Sequence, residues 1–198
     1  HAMEALRLVG ADVNAVLTDP NSYDELQPMC AAAGFSVFAG DPENVLRRFV
    51  DAARYFGVEL LVRATGDNPL VSAEIAQRSL RLAQQYSADY AGLLQPPYGT
   101  AVEVVRSSAL QRALRESSST YDKEHVTPYV YNNPEHFRIA LQDAPAKWHS
   151  TARVTIDTEG DYKYMERLFA DCYCGQPIPV QDVISWCRYN SRSQLQVS

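Results

Sequence analysis

Glu59-Leu60-Leu61-Val62-Arg63-Ala64-Thr65-Gly66-Asp67-Asn68-Pro69-Leu70-Val71 is the stretch on which the reading of this chain turns. Its first half is apolar and partly β-branched, the pattern of a buried parallel strand. It then breaks into Thr65, Gly66, Asp67, Asn68 and Pro69, a run of loop formers. In an open α/β sheet ligands sit beyond the carboxyl ends of strands, and Asp67 is a carboxylate placed there. Alone, Asp67 could equally cap a turn or the next helix. A second acidic strand end, Val154-Thr155-Ile156-Asp157-Thr158, lies far downstream and gives the first one company.

The 198 residues suffice for one domain, 46% of them apolar and 21% charged, as in ordinary globular chains. A net charge of -6 without any basic block argues against nucleic acid or an anionic membrane as partner. No apolar run is long enough to span a bilayer. Cys30, Cys172, Cys174 and Cys187 are few and irregularly spaced, so a reduced cytoplasmic setting is expected. Cys172-Tyr173-Cys174 reads as packing. The chain opens on His1-Ala2-Met3, which implies either a tag scar before a start at Met3 or a cut from something longer. Its first residues already have helical spacing, whereas doubly wound domains begin with a strand and a phosphate loop.

Outward from the decisive stretch, the spacing predicts helices over 2–9 and 23–33, the second capped by Ser22 or Asn21, with strands over 11–18 and 35–39. Pro42-Glu43 is expected to start an amphipathic helix reaching Tyr55. Ser72 caps the next helix, to Tyr86. Strands follow at 89–94 and 101–105, then a helix from Ser107 to Arg115. A loop with a short helix before Pro128 occupies 121–129, with strands over 137–141 and 154–156. Helices over 161–173 and 180–189 close the pattern, and 190–198 is expected to fray. Strands alternating with helices indicate one α/β domain over 1–198 with a mostly parallel sheet and helices on both faces.

If the strands before Asp67 and Asp157 are parallel neighbours, both carboxylates face one crevice. Like charges there raise each other's pKa unless a cation offsets them. Mg2+ is commonly held by one or two carboxylates plus substrate phosphates, which fits phosphoryl or nucleotidyl transfer. Two independent helix caps would account for the same residues. Arg63 inside an apolar strand needs a counter-ion or a phosphate. Glu103, between Val102 and Val104, points away from both and can line a pocket. His125 lies in an acidic, Tyr-rich loop, and Arg153 precedes the last strand. Cys30 reads as core. No G-x-S-x-G, Walker A or G-x-G-x-x-G motif is present, so pattern alone leaves other nucleotide-handling α/β enzymes open.

Four stretches carry a resemblance: Phe38-Ala39-Gly40-Asp41-Pro42-Glu43-Asn44-Val45-Leu46-Arg47-Arg48-Phe49, Val62 to Leu70, Tyr121-Asp122-Lys123-Glu124-His125-Val126-Thr127-Pro128-Tyr129, and Arg153 to Asp161. In that order they resemble the cytidylyltransferases of the spore-coat polysaccharide type, relatives of the acylneuraminate and 3-deoxy-manno-octulosonate enzymes. The resemblance implies a Rossmann-like nucleotide-diphospho-sugar transferase fold. It also implies Mg2+-dependent transfer of CMP from CTP to a sugar acid with release of pyrophosphate. Asp67 and Asp157 match the metal-binding aspartates and, with Arg63, are the implied catalytic residues. Glu103, His125 and Arg153 match positions lining or bracing the sugar side. Members are commonly homodimers, which places dimerisation and sugar contacts within 95–150.

Two departures accompany the resemblance. The family's opening strand and loop, Gln-Ala-Arg-x-Gly-Ser-x-Arg-Leu-Pro-Gly-Lys, has no counterpart here. The chain by itself is therefore expected to transfer CMP poorly, and its sheet to lack a central strand. Where relatives often carry Arg-Gly-x-Asp-Val-Glu, this chain has Tyr98-Gly99-Thr100-Ala101-Val102-Glu103. Tyr98 and Ala101 in place of Arg and Asp imply a different acceptor or lost activity. The alternative to an enzyme is a non-catalytic relative that binds a sugar or a protein.

Overall fold

Short apolar strands and amphipathic helices alternate as their hydrophobic spacing requires. The computed structural model describes residues 1–195, with side chains described through Asn190. In order, the elements are α1 (Ala2–Arg7), β1 (Ala15–Thr18), α2 (Tyr23–Ala32), β2 (Ser36–Ala39), α3 (Val45–Phe56), β3 (Leu60–Arg63) and α4 (Ala73–Gln85). Then come β4 (Tyr90–Leu94), β5 (Glu103–Arg106), α5 (Ser107–Glu116), α6 (Thr120–His125), α7 (Pro128–Tyr131) and β6 (Ile139–Asp143). A 3-10 turn over Ala146–Trp148 precedes α8 (Glu159–Cys172) and α9 (Val180–Leu195).

Local chemistry sets the boundaries, sometimes against the sequence expectation. α3 does not begin at Pro42-Glu43. The Asp41 carboxylate accepts the N–H groups of Glu43 and Asn44 at 3.0 and 2.9 Å and closes a turn there. Asn44 then caps the helix by accepting the Arg47 N–H at 2.9 Å. Ser22 stands at the start of α2 without a side-chain cap bond. Asp19 instead accepts the N–H groups of Asn21 and Ser22. Ser72 caps α4 through the Ile75 N–H, as expected. Pro128 opens α7, since a proline at the first helical position gives up no needed donor. Asn190 to Leu195, expected to fray, continue α9. The Arg167 guanidinium donates to Asn190 at 3.2 Å, and the Asn190 amide donates to the Trp186 carbonyl at 3.0 Å. Residues 196–198 lie outside the described residues.

The strands form two sheets. β1 and β2 pair in parallel, Ala15 opposite Ser36 through Thr18 opposite Ala39. The second sheet has the order β3-β5-β4-β6. β4 and β6 are parallel, whereas β5 runs against both β3 and β4. β3, expected to be buried, has every residue only half-buried because it stands at the sheet's edge. The strand expected over 154–156 reduces to one parallel bridge, Arg153 opposite Tyr98.

Both faces of the larger sheet are covered, as the alternation of side chains along β4 and β5 dictates. Tyr90 and Val105 pack with Leu46, Val50, Leu110, Val126 and Val130 from α3, α5 and the segment of α6 and α7. Ala91, Leu93 and Val104 face the other way, onto Ile75, Leu82, Val180 and Ile184 of α4 and α9. A third cluster of Leu70, Val154, Met165, Leu168 and Trp186 anchors α8 and α9 beneath the segment that carries Asp157. This arrangement puts the loops after β3 and before α8 side by side. Leu110 has no exposed surface and joins α5 to α3. Leu110→Ala is expected to lower unfolding free energy by about 2–5 kcal/mol, read from the midpoint of urea denaturation at unchanged slope.

Candidate functional site

Asp67 lies in a turn beyond β3, in which the Asn68 N–H donates to the Thr65 carbonyl at 3.2 Å. The segment bearing Asp157 is laid directly against that turn. Ile156 N–H donates to the Asp67 carbonyl at 2.8 Å. The buried Thr155 hydroxyl stands 3.2 Å from that carbonyl and 3.3 Å from Asp67 Oδ2. The two acidic loops therefore lie side by side, with both carboxylates exposed. On the other side of the segment, Tyr98 N–H donates to the Ala152 carbonyl at 2.9 Å and Val154 N–H to the Tyr98 carbonyl at 2.8 Å.

Gly99 makes that approach possible. Its φ is +97°, and a Cβ there would sit 2.7 Å from the Val154 carbonyl oxygen. Thr158 and Asp161 form a reciprocal cap at the start of α8. The Asp161 carboxylate also accepts the Asp157 N–H at 3.1 Å, so the cap fixes the backbone of the candidate ligand. Thr158's hydroxyl above all, and then Asp157's backbone N–H, hold the Asp161 carboxyl below the usual carboxylate range.

Arg153 belongs to this cluster. Its Nη2 donates to Asp157 Oδ2 at 2.5 Å, and its guanidinium lies 4.7 Å from the centre of the Tyr98 ring. Asp157 raises the arginine's pKa further. Tyr98 thus supplies a ring face to Arg153.

A second cluster forms where β3, β5 and β4 adjoin. Arg63 Nη1 donates to Glu103 Oε2 across the β3–β5 register, in which the two residues are direct partners. Tyr90 donates to Glu103 Oε1 at 2.9 Å and Thr127 to the same oxygen at 2.6 Å. Burial, and then the Glu103 charge, push the Tyr90 hydroxyl far above the ordinary tyrosine range. Arg63 also lies over the Phe49 ring, and its buried Nε has no partner. Thr127 reaches Glu103 from a γ-turn at Val126, whose φ of 76° and ψ of -55° are rare for a β-branched residue. The turn closes with Thr127 N–H donating to the His125 carbonyl at 2.9 Å. His125 is exposed and its ring lies 4.3 Å from that of Tyr121.

The sequence-predicted residues therefore fall into two groups. Asp67, Asp157 and Arg153 are together, and so are Arg63 and Glu103, with His125 beside Thr127. Arg153, expected with the sugar-side residues, is held by Asp157. Thr155, Thr127 and Tyr90 were missed. Tyr90 and Thr127 are buried polar groups whose only signal is a hydroxyl in an apolar context, and their partner is visible only in three dimensions. Among the described residues no three His, Cys, Asp or Glu side chains converge to hold a metal. The crevice offers hard oxygen donors from at most two carboxylates, a set that fits Mg2+ completed by phosphates and water. None of the four cysteines forms a disulfide among the described residues, and no described helix is long and apolar enough to cross a membrane.

Helices on both faces of the larger sheet and acidic loops at one crevice define a Rossmann-like fold of the nucleotidyltransferase class. The chain belongs to the cytidylyltransferase family, which it matches over residues 1–185. It is 33% identical over 154 residues to the spore coat polysaccharide biosynthesis protein SpsF of Bacillus subtilis, covering 77% of this chain and 64% of that protein. It is 32% identical over 157 residues to an uncharacterised protein of Methanocaldococcus jannaschii, covering 78% and 65%. The chain thus spans just under two thirds of these relatives' lengths. A solved cytidylyltransferase from Leptospira borgpetersenii superposes with a TM-score of 0.80 at 25% identity, over 96% of this chain and 84% of that one. A CMP:2-keto-3-deoxy-manno-octonic acid synthetase complexed with CTP shares the fold, with a TM-score of 0.61 at 14% identity over 86% of each chain.

Gly99→Ala is expected to destabilise the protein by about 1–3 kcal/mol and to separate Tyr98 from Val154, as read by urea denaturation and loss of hydrogen-exchange protection at Val154. A carboxylate whose folded pKa lies below its unfolded value adds stability that is complete above the unfolded value and lost as pH falls through the folded one. Asp161→Asn should therefore flatten the decline in melting temperature between about pH 5 and pH 2.

Proposed function

We propose that the protein transfers CMP from CTP to a hydroxyl of a sugar acid, releasing pyrophosphate, in the synthesis of a surface polysaccharide or glycan. The observation that carries this reading is the Ile156–Asp67 backbone bond, which joins two acidic loops in a chain of the cytidylyltransferase family. Asp67 and Asp157 would hold Mg2+, which offsets the charge of the triphosphate and stabilises the pentacoordinate transition state. Asp161 fixes Asp157 through its backbone. Glu103, held by Arg63, Tyr90 and Thr127, is poised to accept hydrogen bonds from acceptor hydroxyls, with His125 at the rim. In this reading Arg63 serves the reaction by holding Glu103 in its orientation. Arg153 would supply the cation for the acceptor's acid group. The acceptor oxygen attacks the α-phosphorus, its proton goes to solvent, and pyrophosphate leaves.

This reading also gives the protein a homodimeric assembly, with the dimer contacts and sugar-side residues inside 95–150, and a cytoplasmic setting where CTP is made and thiols stay reduced. A second reading, a non-catalytic sugar-binding relative, draws on the commitment of Arg153 to Asp157 and on Tyr98 and Ala101.

Pyrophosphate release from CTP in the full-length protein, with Mg2+ and a panel of sugar acids, separates the two. Asp67→Asn and Asp157→Asn are expected to lower turnover at least 100-fold without changing the melting profile by more than a few degrees. Arg153→Ala should weaken acceptor binding more than CTP binding, measured by calorimetry. Sugar binding without any pyrophosphate release would select the second reading.

A further inference from the structure

A carboxylate offers about four lone-pair positions, two on each oxygen. Among the described residues three protein donors reach Glu103. Tyr90 and Thr127 both donate to Oε1, at 2.9 and 2.6 Å, and Arg63 donates to Oε2. Oε1 is therefore full, and one position is left, on Oε2. Glu103 keeps 24% of its side chain exposed, whereas Thr127 and Tyr90 are 1% and 8% exposed. A ligand can reach the carboxylate and scarcely the donors that hold it. Glu103 and Arg63 already neutralise each other, so what remains at the site is hydrogen-bonding capacity rather than net charge. That favours a neutral donor over a cation, and one hydroxyl over a pair.

The placement of Thr127 carries strain. Val126, beside it, holds a φ of 76° and a ψ of -55°, and such a conformation persists only where the surroundings over-determine it. They do so here. Val126 has no exposed surface and shares a buried cluster with Leu46, Val50, Tyr90 and Val105. Its N–H donates to the Asp122 carbonyl at 2.9 Å, and the Thr127 N–H closes the turn on the His125 carbonyl at 2.9 Å. The outcome of this strained turn is a hydroxyl delivered to Oε1.

Aromatic rings stand beside the carboxylate. Tyr131 lies 5.5 Å from Tyr90, centre to centre, and Tyr121 lies 4.3 Å from His125. Burial first, and then Tyr121 and the Glu103 charge, raise the pKa of the Tyr131 hydroxyl, so Tyr131 is within the field of Glu103. One open acceptor among aromatic rings suits a hydroxylated ring with apolar C–H faces.

We propose that Glu103 selects its ligand through a single hydroxyl of a sugar ring, and that Thr127, set by the turn at Val126, is the positioning residue that closes Oε1 to the ligand. The proposal rests on the preceding reading for a sugar as ligand, and it applies to the transferring and the non-catalytic forms alike.

Calorimetry of the full-length protein with the panel of sugar acids, and with the monodeoxy analogues of the tightest binder, tests it. Each ligand is measured against the wild type, Thr127→Ser and Thr127→Val. For one hydroxyl, its removal is expected to weaken binding about tenfold in the wild type and in Thr127→Ser, but under about threefold in Thr127→Val. Removal of the other hydroxyls should cost the same in all three proteins, and CTP should bind them equally. A merely structural threonine would weaken every ligand alike. Tyr90→Phe removes the other Oε1 donor, should reproduce the pattern, and serves if Thr127→Val fails to fold. Uniform loss across all ligands and CTP overturns the proposal. So does coupling of two or more hydroxyls to Thr127, or a panel of which no member binds the wild type. Pyrophosphate release without the coupling removes this proposal and leaves the transfer reading. The coupling without pyrophosphate release does the reverse.

Discussion

A hydrogen bond of 2.8 Å from Ile156 N–H to the Asp67 carbonyl holds together what the rest of the molecule prepares. Without it, Asp67 and Asp157 are two exposed acids on separate loops. With it, the segment from Arg153 to Ile156 is clasped between the Asp67 turn and the backbone of Tyr98. Backbone donors and acceptors near a protein interior must be paired, and here the pairing fixes the two acid-bearing loops as neighbours. The buried cluster beneath, with Val154 and Leu168 fully excluded from solvent, keeps the clasp from opening.

Much of this was legible from residue types. Ser72 as a cap, Glu103 pointing away from its apolar neighbours, and the need of Arg63 for a counter-ion all follow from local rules, because each concerns one residue and its immediate sequence. The pairing of Arg63 with Glu103 was not legible. It depends on β5 running antiparallel beside β3, and an antiparallel insertion leaves no mark on hydrophobic periodicity. The strand expected over Val154 to Ile156 failed for a related reason. A β-branched, apolar run fits any half-buried extended segment, and whether it joins a ladder depends on what lies beside it. The start of α3 was misplaced because Asp41 takes backbone donors that a helix at Pro42 would have used.

The two clusters of the candidate site differ in how they manage charge. Glu103 and Arg63 are only 24% and 13% exposed, and neutralise each other where water cannot. Such a pair costs desolvation and is retained for geometry as much as for stability. Asp157 and Arg153 are near half exposed, so solvent screens their attraction and either can exchange partners at little cost. A fixed pair beside an exchangeable one suits a site that must hold one ligand's orientation while admitting another's charge.

The division of the strands into two sheets also governs how the molecule opens. β1, β2 and α2 share few buried side chains with the four-stranded sheet, and Cys30 is the fully buried residue of α2. A lobe with so small a core has its own opening free energy, set by local contacts rather than by global unfolding. Thermal motion on the microsecond scale and slower can then loosen the lobe while the larger sheet, with Val104, Val105 and Leu110 fully buried, stays closed. α3, packed on both β1 and α5, joins the smaller sheet to the larger one.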